Sequence, residues 1–447
     1  MKRYGYFICQ TKSDNGLANE AIILPVISFP DNRHSPSHFS AELPLCDTSA
    51  VAPRCSRTTS CGHRSASMNT VQPIDPNDLL FQEVTADQQI KCDALAASAF
   101  GGPLSPVEFL EREKSMRKQP LAANQGVRTW CLCKRTENRE ILATCKTIQR
   151  ELLETDGNGS RRRNGYCIAA VVTYPDFRGQ GYGKMMLRSL SQWLDGPGDA
   201  FASMLYSNKE EFYKRCGWNP QPSPAMILPV DSTSTYDYLI PDKNLKEYKL
   251  LREEDIDTLC LRDVTALITE ARDDEFNHDH STLAVLPTTD LVSWLHKRAE
   301  FIGSRLLDRS PHHKGCIYND TAWLYWHHDF PKQCLFIQRI RVFIEQENAR
   351  HDVLVTLLAH ALLEAQRWQL PAVVIWDAGP DVHKAIDLLK SRIKGFVPVL
   401  REQRREMNWL PEHFLLQYSL ETHSLAKHEV VGSRCHPSWI RRFLKSI

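Results

Sequence analysis

The chain has no surplus of either charge: 55 Lys and Arg stand against 54 Asp and Glu, a formal net charge of +1 over 447 residues. A nucleic-acid surface or attraction to anionic lipid is therefore not expected. Long hydrophobic runs are missing too. The stretch Ala21 to Val26 falls far short of the roughly 20 apolar residues that a bilayer span needs. The first residues show no basic start, apolar middle and small-residue cleavage site, so no secretory leader is expected. The 14 cysteines form no disulfide framework. Several of them (Cys131, Cys133, Cys145, Cys167, Cys334) fall in strand-like stretches, which suits reduced, buried thiols in a cytoplasmic protein. His34, His38, Cys46, Cys55, Cys61 and His63 match no closed metal-site spacing, so no metal is expected. The two familiar phosphate loops are also absent. There is no Gly-Lys-Ser/Thr, and Arg178 stands where a dinucleotide fold places its first glycine.

What is present is concentrated between Cys167 and Lys184. A buried apolar strand, Ile168 to Thr173, runs into a Gly-rich turn and then a helix opening at Lys184. Gly179, Gly181 and Gly183 remove side chains at alternate positions, where the backbone must face something large. The amides of Arg178, Gly179, Gln180, Gly181, Tyr182 and Gly183 can then converge on an anion, helped by the positive end of the helix dipole. A phosphate or pyrophosphate is the natural guest. Downstream, Phe201 to Tyr206 reads as another strand, and Ser207 to Trp218 as a short helix ending at a glycine cap.

Four segments emerge. Residues 1–70 are rich in Ser, Pro, Arg and Thr without periodicity and read as a disordered tail, with Met68 an alternative start. Residues 79–220 form a first domain, 221–245 a linker rich in Pro, Ser and Asp, and 246–447 a second domain. In the first, strand Leu80–Val84 precedes a helix capped by Thr85 and a second helix from Ser105 to Lys118. Two strands, 128–134 and 141–150, then pair around the turn 136–140. A Gly/Asn/Arg loop, 156–165, leads into the Gly-rich motif. The second domain runs in a similar order, with strands near 248–251, 315–318, 322–327, 335–343 and 372–376 and helices from Val353 and Val382. No glycine loop lies between Phe343 and Val353. The fold class is α/β of the α+β type, a mixed and mostly antiparallel sheet followed by a degenerate second unit.

Arg-x-x-Gly-x-Gly after a strand resembles motif A of the GNAT acetyltransferases, and Phe212-Tyr213 before Gly217-Trp218 resembles their motif B. Four stretches are more specifically similar to the fungal lysine N6-acetyltransferase (Lyc-type) family: Ile141–Thr147, Thr173–Tyr182, Leu205–Ser207 and Leu286–Phe301. The resemblance implies a GNAT fold over residues 79–220, with a second, degenerate GNAT-like domain. One departure stands out: Tyr206 occupies the position where the superfamily often carries Asn, and Asn208 is out of register.

The resemblance implies attack of an amine on the thioester of acetyl-CoA, with free L-lysine the expected acceptor. Residues 178–183, followed by Lys184, would hold the pyrophosphate. The backbone of Val171, Val172 and Thr173 would pair with the pantetheine, and an amide near Val171 or Val172 would meet the oxyanion. Tyr213 sits where the family's general acid sits; its alternative is a packing role beside Phe212 and Trp218. The strand carries no acid, so Glu151, Glu154 or a water relay is left as base. His327 and His328 are candidates from the second domain or a structural pair. Trp294, Arg298 and Phe301 share a helical face that suits interdomain packing, with Arg298 a possible carboxylate ligand. Two other readings stay open: a protein-lysine or polyamine acetyltransferase, and a non-catalytic CoA-binding protein. A chain ending near Ser234 is expected to keep coenzyme binding and lose acceptor turnover.

Overall fold

The computed structural model describes residues 74–156, 159–221, 223–241, 246–273, 282–401 and 413–418. The expected disordered tail and the His/Cys candidates below residue 64 lie outside them. Strand β1 (Leu79–Glu83) leads to helices α1 (Ala86–Phe100), α2 (Pro106–Met116) and α3 (Pro120–Ala123). Both longer helices start on a capping box, Thr85 with Gln88 and Ser105 with Glu108, and α2 has Pro106 in its first turn. Strands β2 (Val127–Lys134), β3 (Ile141–Asp156) and β4 (Gly159–Thr173) follow, then α4 (Tyr182–Asp195), β5 (Ala202–Ser207), α5 (Glu210–Lys214) and β6 (Asn219–Gln221).

The stretch 156–165 is not a loop. It forms the tip and outer half of a long β3–β4 hairpin. Cross-strand pairs Glu151–Arg162 (2.5 Å) and Glu154–Arg163 (2.7 Å) offset its polar sequence, and Leu152 and Leu153 are buried beneath.

The remaining elements are β7 (Ala225–Pro229), β8 (Tyr248–Leu251), α6 (Glu253–Asp273), β9 (Thr282–Val285), α7 (Thr289–Leu307), β10 (Gly315–Tyr318), β11 (Ala322–Asp329), β12 (Cys334–Val342), α8 (Glu347–Arg367), β13 (Ala372–Trp376), α9 (Pro380–Arg392), β14 (Val399–Arg401) and β15 (His413–Tyr418). Two mixed sheets result. The first runs β1-β2-β3-β4-β5-β15-β6, with β9 paired to the far part of β3; the second runs β14-β7-β13-β12-β11-β10-β8. Among the described residues only β4–β5 and β12–β13 pair in parallel, so the two sheets repeat one plan.

The four-segment division needs correction at two places. The linker 221–245 contributes β7, which pairs with β13 and β14 in the second sheet. The segment 246–447 in turn lends β9 and β15 to the first sheet. The reason is local: Ala225–Leu228 is an uninterrupted apolar run, buried along its length, and an apolar strand between two sheets joins whichever edge buries it. A continuous core crosses the boundary, with Cys167, Met204 and Tyr206 of the first sheet in one cluster with Trp294 and Leu295 of α7 and Leu324 and Leu335 of the second sheet.

Candidate active site

The site is built where β4 and β5 part. Their parallel ladder runs from Gly165 opposite Ala202 to Ile168 opposite Leu205 and stops there. Beyond it, Ala169 to Thr173 has no partner on the β5 side among the described residues, which leaves an open strand edge. On its other side β4 bulges. Lys146 pairs with Ala169 and Thr144 with Val172, so Cys145 alone opposes both Ala170 and Val171. Ala170 takes a φ of 51°, a strained value for a residue with a Cβ, and the bulge re-aims the neighbouring amides.

The glycine turn follows directly. Gly179 and Gly181 have φ of 78° and 88°, and a Cβ on either would meet nothing of the protein within 4 Å. Gly181 caps α4 without any side-chain cap, so the first-turn amides of the helix, which lack intrahelical acceptors, face the open side. Gly183 differs from the other two: a Cβ there would lie 3.1 Å from Thr173 Oγ1, so this glycine serves close packing of helix against strand end. Side chains fix the turn from behind. Arg178 Nε donates to the Thr173 carbonyl at 3.1 Å and Gln180 Nε2 to that of Asp176 at 3.1 Å. Tyr182 is buried, its hydroxyl accepting from the Ile74 amide at 3.0 Å; only its backbone belongs to the cradle. Helix α4 therefore opens at Tyr182, two residues before Lys184.

The second sheet shows the contrast. Helix α8 stands where α4 stands in the first, but Gln346 takes its Ala349 amide at 3.2 Å, and Arg350 fills the turn by donating to the carbonyls of Ile344 (3.0 Å) and Glu345 (3.1 Å). No open cradle exists there.

Tyr213, on the five-residue α5, is buried in the cluster that holds Cys145 and the partly buried Val171. Its phenol hydrogen-bonds Ser207 at the end of β5. Burial, with the Cys145 thiol nearby, pushes that phenol well above the ordinary tyrosine range, and the Ser207 bond offsets only part of the rise. The phenol therefore keeps its proton at physiological pH.

On the opposite face of the sheet the bulge opens into a pocket. Its walls include Ala169 and Ala170, Lys146, Glu113 and, from the second half of the chain, Trp294 and Arg298 on α7. Lys146 is held between Asp93 (3.2 Å) and Glu113, while Arg112 (2.7 Å) also pairs with Glu113 and Arg117 (2.5 Å) with Asp93. Burial would raise the Glu113 carboxyl, but Lys146 and Arg112 hold it well below the usual carboxylate range. Burial would likewise lower Lys146, and Glu113 and Asp93 raise it instead.

The structure thus brings together Val171, Val172, Thr173, the turn from Arg178 to Lys184, Tyr213, Trp294 and Arg298. Other candidates fall elsewhere. Glu151 and Glu154 lie on the outer hairpin, bound to arginines, with Glu151 six residues from the bulge or about 20 Å along the strand. His327 stacks on Phe336 at 5.5 Å and His328 binds Glu364 at 3.1 Å, both inside the second sheet's core. Asp93 and Glu113 were missed. Their signal was a carboxylate on the buried face of an amphipathic helix, beside Cys92 and Ala96 on α1 and between Phe109 and Met116 on α2.

Two family models match the chain: Acetyltransferase (GNAT) family over residues 101–218, and LYC1 GNAT-like C-terminal domain over residues 232–412. A protein named Lysine acetyltransferase from Yarrowia lipolytica is 20% identical over 349 residues, covering 69% of this chain and 86% of that one. An uncharacterized protein of Saccharomyces cerevisiae is 23% identical over 263 residues, covering 53% of this chain and 63% of its own. A crystal structure of a GCN5-related N-acetyltransferase from Kribbella flavida superposes with a TM-score of 0.47 at 14% identity, over 76% of this chain and 71% of that one. No described helix is long and apolar enough to cross a membrane. With a GNAT-family domain over residues 101–218 and, over residues 232–412, a second domain similar to the C-terminal GNAT-like domain of the Lyc-type proteins, the chain is a GNAT-type acyltransferase.

Proposed function

We propose that the protein transfers the acetyl group of acetyl-CoA to the side-chain amine of free L-lysine. The observation that carries this reading is the parting of β4 and β5 beside an uncapped glycine cradle. The backbone from Arg178 to Lys184 would hold the pyrophosphate, where side chains at Gly179 and Gly181 would project into the guest's space. The open edge of Val171, Val172 and Thr173 would take the pantetheine as an added strand. The thioester supplies an activated acyl group. An amide of the bulge would stabilise the charge that develops on its carbonyl oxygen, and Tyr213 would donate a proton to the departing sulfur. The amine would enter from the pocket on the other face.

The charge of that pocket supports an acceptor carrying a carboxylate. Lys146, Arg112, Arg117 and Arg298 stand in its wall against Glu113, with Asp93 behind. A polyamine would bring only positive charge to a wall already rich in it, which disfavours that reading. The test is thiol release from acetyl-CoA with L-lysine, spermidine and a lysine-containing peptide. L-Lysine should be the preferred acceptor. Faster turnover of spermidine or of the peptide would overturn the acceptor, and no release with any amine would overturn the enzyme reading.

A further inference from the structure

The pocket beside the bulge encloses about 70 Å³. At about 10–15 Å³ for each water-sized group, that is room for a short unbranched chain and little more. Several of its wall residues are small: Ala169 and Ala170 come from the bulge of β4 and Ala96 from α1. The bulkiest is Trp294, which with Arg298 comes from the second half of the chain. Its ring is held by packing. Trp294 is only 8% exposed and belongs to the core cluster that contains Leu291, Leu295 and Ile302 of the same helix. Arg305, near the end of α7, pairs with Glu111 of α2 at 2.8 Å, and α2 supplies Phe109, Glu113 and Met116 to the same pocket. The two helices that line the pocket are thus fastened to each other.

A packed apolar wall yields little, so it selects by size. One methylene too many or too few in such a pocket is worth about 10- to 200-fold in specificity. We infer that Trp294 is a specificity-determining residue for the acceptor: its ring limits the pocket to an amine carried on an unbranched chain of lysine's length and turns away longer or branched stems. The second domain, which has no cradle of its own, takes part in the reaction by choosing the acceptor. This inference rests on the acetyltransferase reading above.

The test compares kcat/KM for L-lysine and L-homolysine, which carries one methylene more, with acetyl-CoA as donor. The wild-type chain should favour L-lysine by at least about tenfold. Trp294→Ala should bring that ratio below about threefold, because the enlarged pocket packs the lysine stem less well and admits the longer chain. Trp294→Phe removes less volume and should move the ratio in the same direction by less. A role in folding alone would lower turnover of both acceptors by a common factor and leave the ratio unchanged. Equal use of the two acceptors by the wild type would overturn the inference and leave the acetyltransferase reading standing. So would a wild-type ratio in Trp294→Ala. Should Trp294→Ala not fold, the ratio in Trp294→Phe decides. Turnover of neither acceptor would remove both the reading and the inference.

Discussion

At Gly181 two demands meet, a φ of 88° and an empty space in front of the backbone. A Cβ at this position meets no neighbour within 4 Å, so the penalty of Gly181→Val is chiefly backbone strain, on the order of 1–3 kcal/mol, plus a side chain standing in the anion's place. Calorimetry should show acetyl-CoA binding lost. Wild-type affinity in that variant would remove the cradle from the mechanism. Tyr213 makes a different prediction, because its phenol is buried on Ser207 and held protonated. Tyr213→Phe keeps the packing against Phe212, whose ring meets it edge-on at 5.0 Å, and removes only the proton. Turnover should fall by about 10²-fold, with coenzyme affinity near wild type. Unchanged turnover across pH would make Tyr213 a packing residue.

Single elements are tied into the site by charge. Lys146 on β3 joins α1 through Asp93 and α2 through Glu113. Lys146→Met would leave two carboxylates facing an apolar interior, with only Arg117 and Arg112 to answer them. The cost should be about 3–5 kcal/mol in urea unfolding at pH 7. The sign with pH follows from Glu113, whose folded-state pKa is depressed. Its stabilisation is fully present above the unfolded carboxyl pKa of about 4.3 and is lost as pH falls. The gap between wild type and Lys146→Met should therefore shrink on acidification below about pH 4. A gap that stays constant would mean that the network contributes packing alone. Helix α7 is the other such element. Leu291 and Leu295 enter the shared core, while Trp294 and Arg298 line the pocket. The i, i+4 spacing of those two residues was legible in the sequence; which sheet they would face was not.

For the whole molecule, the interleaved strands change one expectation. A chain ending near Ser234 would keep β7 without its partners β13 and β14 and would strip β9 and β15 from the first sheet. It should fail to fold cooperatively, and so lose coenzyme binding for a reason unrelated to the cradle. A truncated chain with a sharp thermal transition would argue against this interlock. Buried imidazoles set the acid limit. Burial lowers His296, His327 and His328, and lowers His360 to about 4. Between that value and the unfolded histidine pKa of about 6.5, the unfolded chain takes up protons that the folded one refuses. Stability is full above about pH 6.5 and falls as pH drops, by up to roughly 1.4 kcal/mol per pH unit for each such histidine. The melting temperature should be clearly lower at pH 5.5 than at pH 7.5. An unchanged value would show that these imidazoles reach solvent when charged.

The sequence by itself determined the features that depend on neighbours along the chain. These are the capping boxes at Thr85 and Ser105, the glycine turn with its uncapped helix, and the absence of such a turn before α8. Each rests on backbone geometry and side-chain reach within a few residues, so local pattern suffices. Tertiary structure alone decided where β7, β9 and β15 pair, because an apolar strand carries no address for its partner and joins the edge that buries it. It also decided that Glu151 and Glu154 stand far from the bulge while Asp93 and Glu113 reach Lys146 beside it. A buried charge shows in sequence only as an exception to an apolar pattern. Whether it is paired, as Lys146 is with Asp93 and Glu113, depends on residues that the fold brings in from elsewhere in the chain.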